Sequence, residues 1–131
     1  MTINVPFKIL KHGEGFPKPS YQSIGSSGID LYAALKKTLL LSSFSRDMIP
    51  TGLCFEIPHG YEGQIRPRSG LFINSGIMAM FGTIDSDFRG EIKILLINLT
   101  SSNFEINPGM RIGQIIINKI EKINLIQSNI L

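Results

Sequence analysis

Turn-forming residues interrupt this chain about every 8–12 residues, the rhythm of a sandwich or barrel of short strands. Gly, Pro, Ser and Asn mark the interruptions, and short apolar or alternating runs lie between them. Composition points the same way. There are 22 Ile but only 3 Ala, against 13 Gly and 7 Pro. Ala is the best helix former, whereas β-branched Ile suits a pleated, half-buried strand. A helix bundle is improbable and an all-β domain is expected. No apolar run approaches the ~20 residues of a membrane-spanning helix. The 131 residues suffice for one core without disulfide or metal support, so a single domain over 1–131 is expected.

The pattern predicts a strand over Val5–Leu10, a long loop over Lys11–Ser27, and short strands at Ile29–Ala34 and Thr38–Leu41. Arg46–Ile57 is extended but interrupted by Pro50-Thr51-Gly52, which suggests an edge or a bend. Tyr61–Arg66 alternates and stops at Pro67. Ser69–Asn74 can make one helical turn, capped by Ser69. Apolar Ile77–Ile84 and alternating Ile92–Asn98 read as the two arms of a hairpin around polar Asp85–Gly90. Asn107-Pro108-Gly109 is a turn before the strand Arg111–Ile120. Asn124–Leu131 carries no readable chemistry. The sum is an antiparallel, jelly-roll-like double sheet.

The net charge of +3 suits an anionic ligand, but the sole basic pair, Lys36-Lys37, is no nucleic-acid patch. Scattered aromatics without Lys or Arg neighbours also argue against a nucleic-acid-binding barrel. Cys54 cannot form an internal disulfide or a Cys-rich zinc site, and its strand-like context predicts a buried thiol. His12 and His59 adjoin glycines and read as loop residues. Met1–Val5 shows no signal-peptide pattern, so a cytoplasmic protein is expected.

Four clusters could carry chemistry, and each also has a plain structural explanation. Arg66–Leu71 puts Arg68 beside Ser69 and Gly70, a phosphate grip or merely a capped turn with a solvated arginine. In Gly82–Gly90 a carboxylate at a hairpin mouth could act as a general base, and Phe88 could cover a sugar or base; Asp and Gly also simply make turns. In Gly25–Leu31, Asp30 could hold metal-bound water or pair with an arginine. In Gly109–Gln114, Arg111 and Gln114 are polar residues of an apolar strand that need partners, structural or ligand.

In order and spacing the four resemble motifs of the trimeric dUTP diphosphatase (dUTPase) family of bacterial type: Gly28-Ile29-Asp30-Leu31, Pro67–Leu71, Gly82–Gly90 and Gly109–Gln114. Ile49–Gly52 and Gln64–Arg66 fit as well, so the resemblance covers nearly the whole chain. It implies hydrolysis of dUTP to dUMP and pyrophosphate with Mg²⁺. Asp85 would be the general base for water attacking the α-phosphorus. Arg68, Ser69, Gly70 and Gln114 would hold phosphates, and Asp30 would hold the metal through water. Arg111 would be structural. Uracil would be read by the hairpin backbone near Thr83, Ile84 and Lys93, and Phe88 would pack on deoxyribose. The family is a homotrimer with sites shared between subunits.

The sequence departs from the family at three places. Ala79 stands where many bacterial members place a uracil-binding Asn. Phe88 stands for Tyr, and Phe81 for a small residue or Pro. The family's Gly-rich fifth motif is also missing before Leu131, and the expectation is a tail beyond this sequence. The alternatives are a catalytically weak or regulatory deoxynucleotide-binding trimer without that lid, and the sister dCTP deaminase activity. Against the deaminase, Gly70-Leu71-Phe72 follows Ser69, where a second Ser is usual.

Overall fold

The structure, a computed structural model, describes residues 2–131. Two four-stranded antiparallel sheets face each other. In one, the order is β1 (Phe7–Ile9), β4 (Arg46–Phe55), β8 (Glu91–Asn98) and β6 (Ile77–Ala79). In the other it is β2 (Ile29–Tyr32), β10 (Arg111–Lys119), β5 (Tyr61–Arg66) and β7 (Gly82–Ile84). A two-stranded ribbon, β3 (Leu39–Leu41) with β9 (Phe104–Ile106), extends one end. The one α-helix among the described residues, α1 (Ser69–Ser75), follows β5. The all-β, antiparallel expectation holds.

Alternation along the strands builds the core. On β8, Ile92, Ile94 and Leu96 point inward; on β10, Ile112 and Ile115 do; Leu31, Ile49 and Ile65 come from β2, β4 and β5. Side chains of alternate residues share a face, so β8 gives the core every second residue, while β10 carries an irregularity between Arg111 and Gly113. Asn98, fully buried at the end of β8, has all its polar atoms engaged. Its Nδ2 donates to Leu41 O and Ser102 O, and its Oδ1 accepts from the Thr100 N–H and hydroxyl. It thereby ties β8 to the ribbon end.

Several expectations change. β1 shrinks to three residues after Pro6, which has no N–H to donate. β2 stops at Tyr32, although the Ala33 and Ala34 N–H groups still bond to Met110 O and Pro50 O, each at 2.8 Å. Pro50 is at an edge locally, as expected: it pairs with Lys93 of β8, but β1 covers only Leu53–Phe55 on the other side of β4. The bend expected there is real: the register with β8 shifts between Pro50 and Cys54, and Gly52 has φ 70°. The Pro50 carbonyl faces away from β8 and accepts the Ala34 N–H, so the missing proline N–H leaves no ladder bond unmade. Cys54 is half-buried, not buried.

The hairpin needs the largest correction. Ile77–Ala79 does pair with β8, but Gly82–Ile84 leaves that sheet and pairs with β5 in the other. The two arms therefore part after Met80 and Phe81. Ser69 is not a cap either. Arg68 holds the N-cap position without a side-chain cap bond, and Ser69 is the first helical residue.

Candidate functional site

Three of the four motifs, far apart in sequence, form one surface cleft of about 320 Å³. Strand pairing brings them together. Asp30 on β2 lies opposite Gln114 on β10, and Gln114 lies opposite Arg66 on β5. Pro67 then ends β5, and Arg68, Ser69 and Gly70 turn over the cleft at the start of α1. Gly28 permits the close approach of the first motif, since a Cβ there would lie 2.5 Å from Gln114 Oε1.

The electrostatics follow from three side chains. Arg68 Nε lies 3.4 Å from Asp30 Oδ1, and an Arg111 terminal nitrogen lies 3.7 Å from Asp30 Oδ2. Asp30 is buried, whereas both arginines remain partly exposed. Two guanidiniums against one carboxylate leave a cationic cleft, suited to phosphate oxygens. Gln114 Nε2 donates to Pro67 O at 3.1 Å, which fixes its amide against the end of β5. Arg111, read from the resemblance as structural, lines the cleft and pairs with Asp30.

A second cleft, of about 530 Å³, opens where β7 parts from the sheet that holds β6 and β8. Thr83, Ile84, Asp85 and Phe88 form one wall, Glu91, Ile92 and Lys93 the other, with Met48 of β4 beside them. Asp85 is exposed at the end of β7. The turn beyond it is braced internally. The Phe88 N–H donates to Asp85 O at 3.0 Å, and Arg89 donates to Ser86 O at 2.6 Å. The Phe88 ring covers Gly90, where a Cβ would lie 2.8 Å from the ring. Ala79 does not line this cleft. It is buried opposite Leu96, and its methyl packs in the core near Gly113.

Apart from Ala79, the candidate residues thus fall into two groups that share no lining residue. Asp30 and Gln114 are level with Arg66 on β5, while Ile84 is level with Gly63. At ~3.3 Å per residue and ~4.8 Å per strand, Asp85 and Asp30 of one chain lie on the order of 20 Å apart. No single substrate-sized site in one chain holds both.

Sequence reasoning missed Met48, Gln22 and Glu91. Glu91 binds His12 from 79 residues away, and no local spacing signals such a pair. Among the described residues, no group of three or more His, Cys, Asp or Glu is placed to hold a metal. No helix among the described residues is long and apolar enough to cross a membrane.

Comparisons with known proteins agree on one family. A family model described as dUTPase matches residues 14–130. The deoxyuridine 5'-triphosphate nucleotidohydrolase of Wolbachia pipientis from Culex pipiens is 49% identical over 123 residues, covering 92% of this chain and 80% of that protein. The enzyme of the same name from Bartonella quintana is 50% identical over 127 residues, 94% of this chain and 69% of that one. Among solved structures, a dUTPase from Staphylococcus aureus phage phi11 superposes with a TM-score of 0.87 at 21% identity, covering 97% of each chain. That last likeness supports the fold.

Proposed function

The chain belongs to the dUTPase family, and we propose on that premise that it hydrolyses dUTP to dUMP and pyrophosphate in a site assembled from neighbouring copies of the chain. What carries the proposal beyond the family match is the division into two clefts. One is cationic and fits phosphates; the other is half apolar, with an exposed carboxylate at its mouth.

In this mechanism Asp85 orients a water and takes its proton as the oxygen attacks the α-phosphorus. The bond from that phosphorus to the oxygen bridging the α- and β-phosphates breaks, and pyrophosphate leaves. Arg68, Ser69, Gly70 and Gln114 hold the phosphates and spread the charge that builds up in the transition state. Uracil enters the second cleft. There the strand edge at Thr83 and Ile84, with Lys93 opposite, reads its donor and acceptor pattern, and the wall excludes the thymine methyl. Phe88 packs on deoxyribose. Ala79 offers no side-chain polar group and is out of reach in the core, so base selection falls to the backbone.

Mg²⁺ fits this donor set. The cleft offers one hard carboxylate, Asp30, and no protein cage, which matches an ion that arrives with the triphosphate and keeps most of its water. Asp30 would hold it through water, and when bound it would neutralise phosphate charge. Asp30 also sets Arg68 and Arg111 in place before substrate arrives.

A separation of about 20 Å between Asp85 and Asp30 supports a closed ring of three copies, each lending its hairpin to the next chain's phosphate cleft. The chain acts as a single dUTPase-like domain in the cytoplasm. A nucleotide-binding protein without turnover and a dCTP deaminase are not favoured, given curated relatives named for dUTP hydrolysis at about half identity.

The test is pyrophosphate release from dUTP with Mg²⁺, run in parallel with dCTP, dTTP and UTP. Release from dUTP alone is expected. Silence with dUTP, or ammonia from dCTP, would overturn the proposal.

A further inference from the structure

His12 stands outside every motif assigned above, yet it reaches the nucleotide cleft through one bond. Its Nε2 lies 2.6 Å from Glu91 Oε2. An ionised carboxylate can only accept, so Nε2 carries the proton and donates. The same Glu91 oxygen accepts the Gly52 N–H at 2.9 Å. Glu91 in turn lines the second cleft with Asp85 and Lys93.

The chain has shaped this contact with care on both sides. The short 3₁₀ turn Lys11–Gly13 is docked on the β4 bulge by the Leu10 N–H bond to Gly52 O at 2.8 Å. Gly13 and Gly52 touch so closely that a Cβ on Gly13 would lie 2.7 Å from Gly52 O. Next to it, the Thr51 hydroxyl donates to Ile92 O at 2.5 Å. The start of β8 is therefore clamped by the bulge, and His12 is delivered to its first side chain.

We infer that His12 is a positioning residue for the nucleotide cleft, anchoring the Glu91 carboxylate against the bulge and away from Lys93. The inference rests on the assignment of this cleft to the nucleotide. Glu91 and Lys93 are two residues apart on one strand and share a face. Lys93 is the one cation lining the cleft. Freed from His12, the Glu91 carboxylate can turn to Lys93, cancel its charge and add a second anion beside Asp85. A polyanionic nucleotide then binds less well. The chemical step is spared, because neither His12 nor Glu91 touches the reacting atoms.

The experiment compares wild type, His12→Ala and the double variant His12→Ala/Glu91→Gln in pyrophosphate release from dUTP with Mg²⁺, with thermal unfolding measured alongside. His12→Ala is expected to raise KM about ten-fold and leave kcat within about two-fold. The added Glu91→Gln removes the freed charge and should return KM to within about two-fold of wild type. A general loosening of the fold would not be rescued in this way. Should His12→Ala fail to fold, His12→Gln, which keeps an N–H donor, is expected to hold the wild-type KM. An active wild type with an unmoved KM in His12→Ala, a KM that Glu91→Gln does not restore, or a raised KM in His12→Gln overturns the inference. A wild type without turnover overturns the functional assignment, and this inference with it.

Discussion

Two aspartates do different work because different neighbours surround them. Asp30 is buried between two guanidiniums and is already paired with both; it can order arginines and water. Asp85 stands exposed at the end of a short strand, on a turn braced by its own backbone and by Arg89. A carboxylate in that position can meet a water and a phosphorus together. Asp85→Asn keeps the size and the turn but removes the base. It should leave the unfolding temperature and dUTP binding near wild type and cut kcat by about 10²-fold or more. Steady-state kinetics beside isothermal titration would decide it, and near-normal turnover would refute the base assignment. Both aspartates are visible in the sequence, since each sits inside a dense motif. Glu91 and His12 are not, because each is unremarkable among its neighbours and only their meeting gives them a role.

At the scale of elements, the strand pattern told where extended segments lie but not which sheet takes them. Ile77–Ile84 reads as one arm because both sheets use the same two-residue period. In the structure Ala79 and Gly82 belong to opposite sheets, and that parting opens the second cleft. Pro50-Thr51-Gly52 is the converse case. The sequence announces an irregularity, but its use as a clamp for the Lys11–Gly13 turn depends on contacts from three other segments. Gly52 is needed there twice over: its φ of 70° disfavours any side chain, and Gly13 fills the space where a Cβ would go. Gly52→Ala should therefore cost about 3 kcal/mol, lowering the unfolding temperature by about 10 °C. Chemical denaturation with an unchanged m-value would confirm that the loss is one of stability.

For the whole molecule, a separation on the order of 20 Å between Asp85 and Asp30 has a direct consequence in solution. If each site draws Asp85 from one chain and Arg68 from another, two inactive variants can repair each other. Asp85→Asn and Arg68→Ala, unfolded and refolded together in equal amounts, should regain roughly a quarter of wild-type activity, the share of sites that receive both native residues in a ring of mixed chains. Each variant refolded alone should stay inactive. No recovery in verified mixed oligomers would place the whole site in one chain and overturn the shared-site proposal. What the sequence by itself determined was the class of fold, the strand positions to within a few residues, and the family, because turn residues, alternation and dense motifs are local properties of the chain. Tertiary structure decided what depends on distant residues meeting: which sheet receives Gly82–Ile84, that Ala79 is core, that Glu91 faces His12, and that the two clefts lie apart. Strand pairing is long-range, and the same local pattern satisfies more than one partner until the core closes.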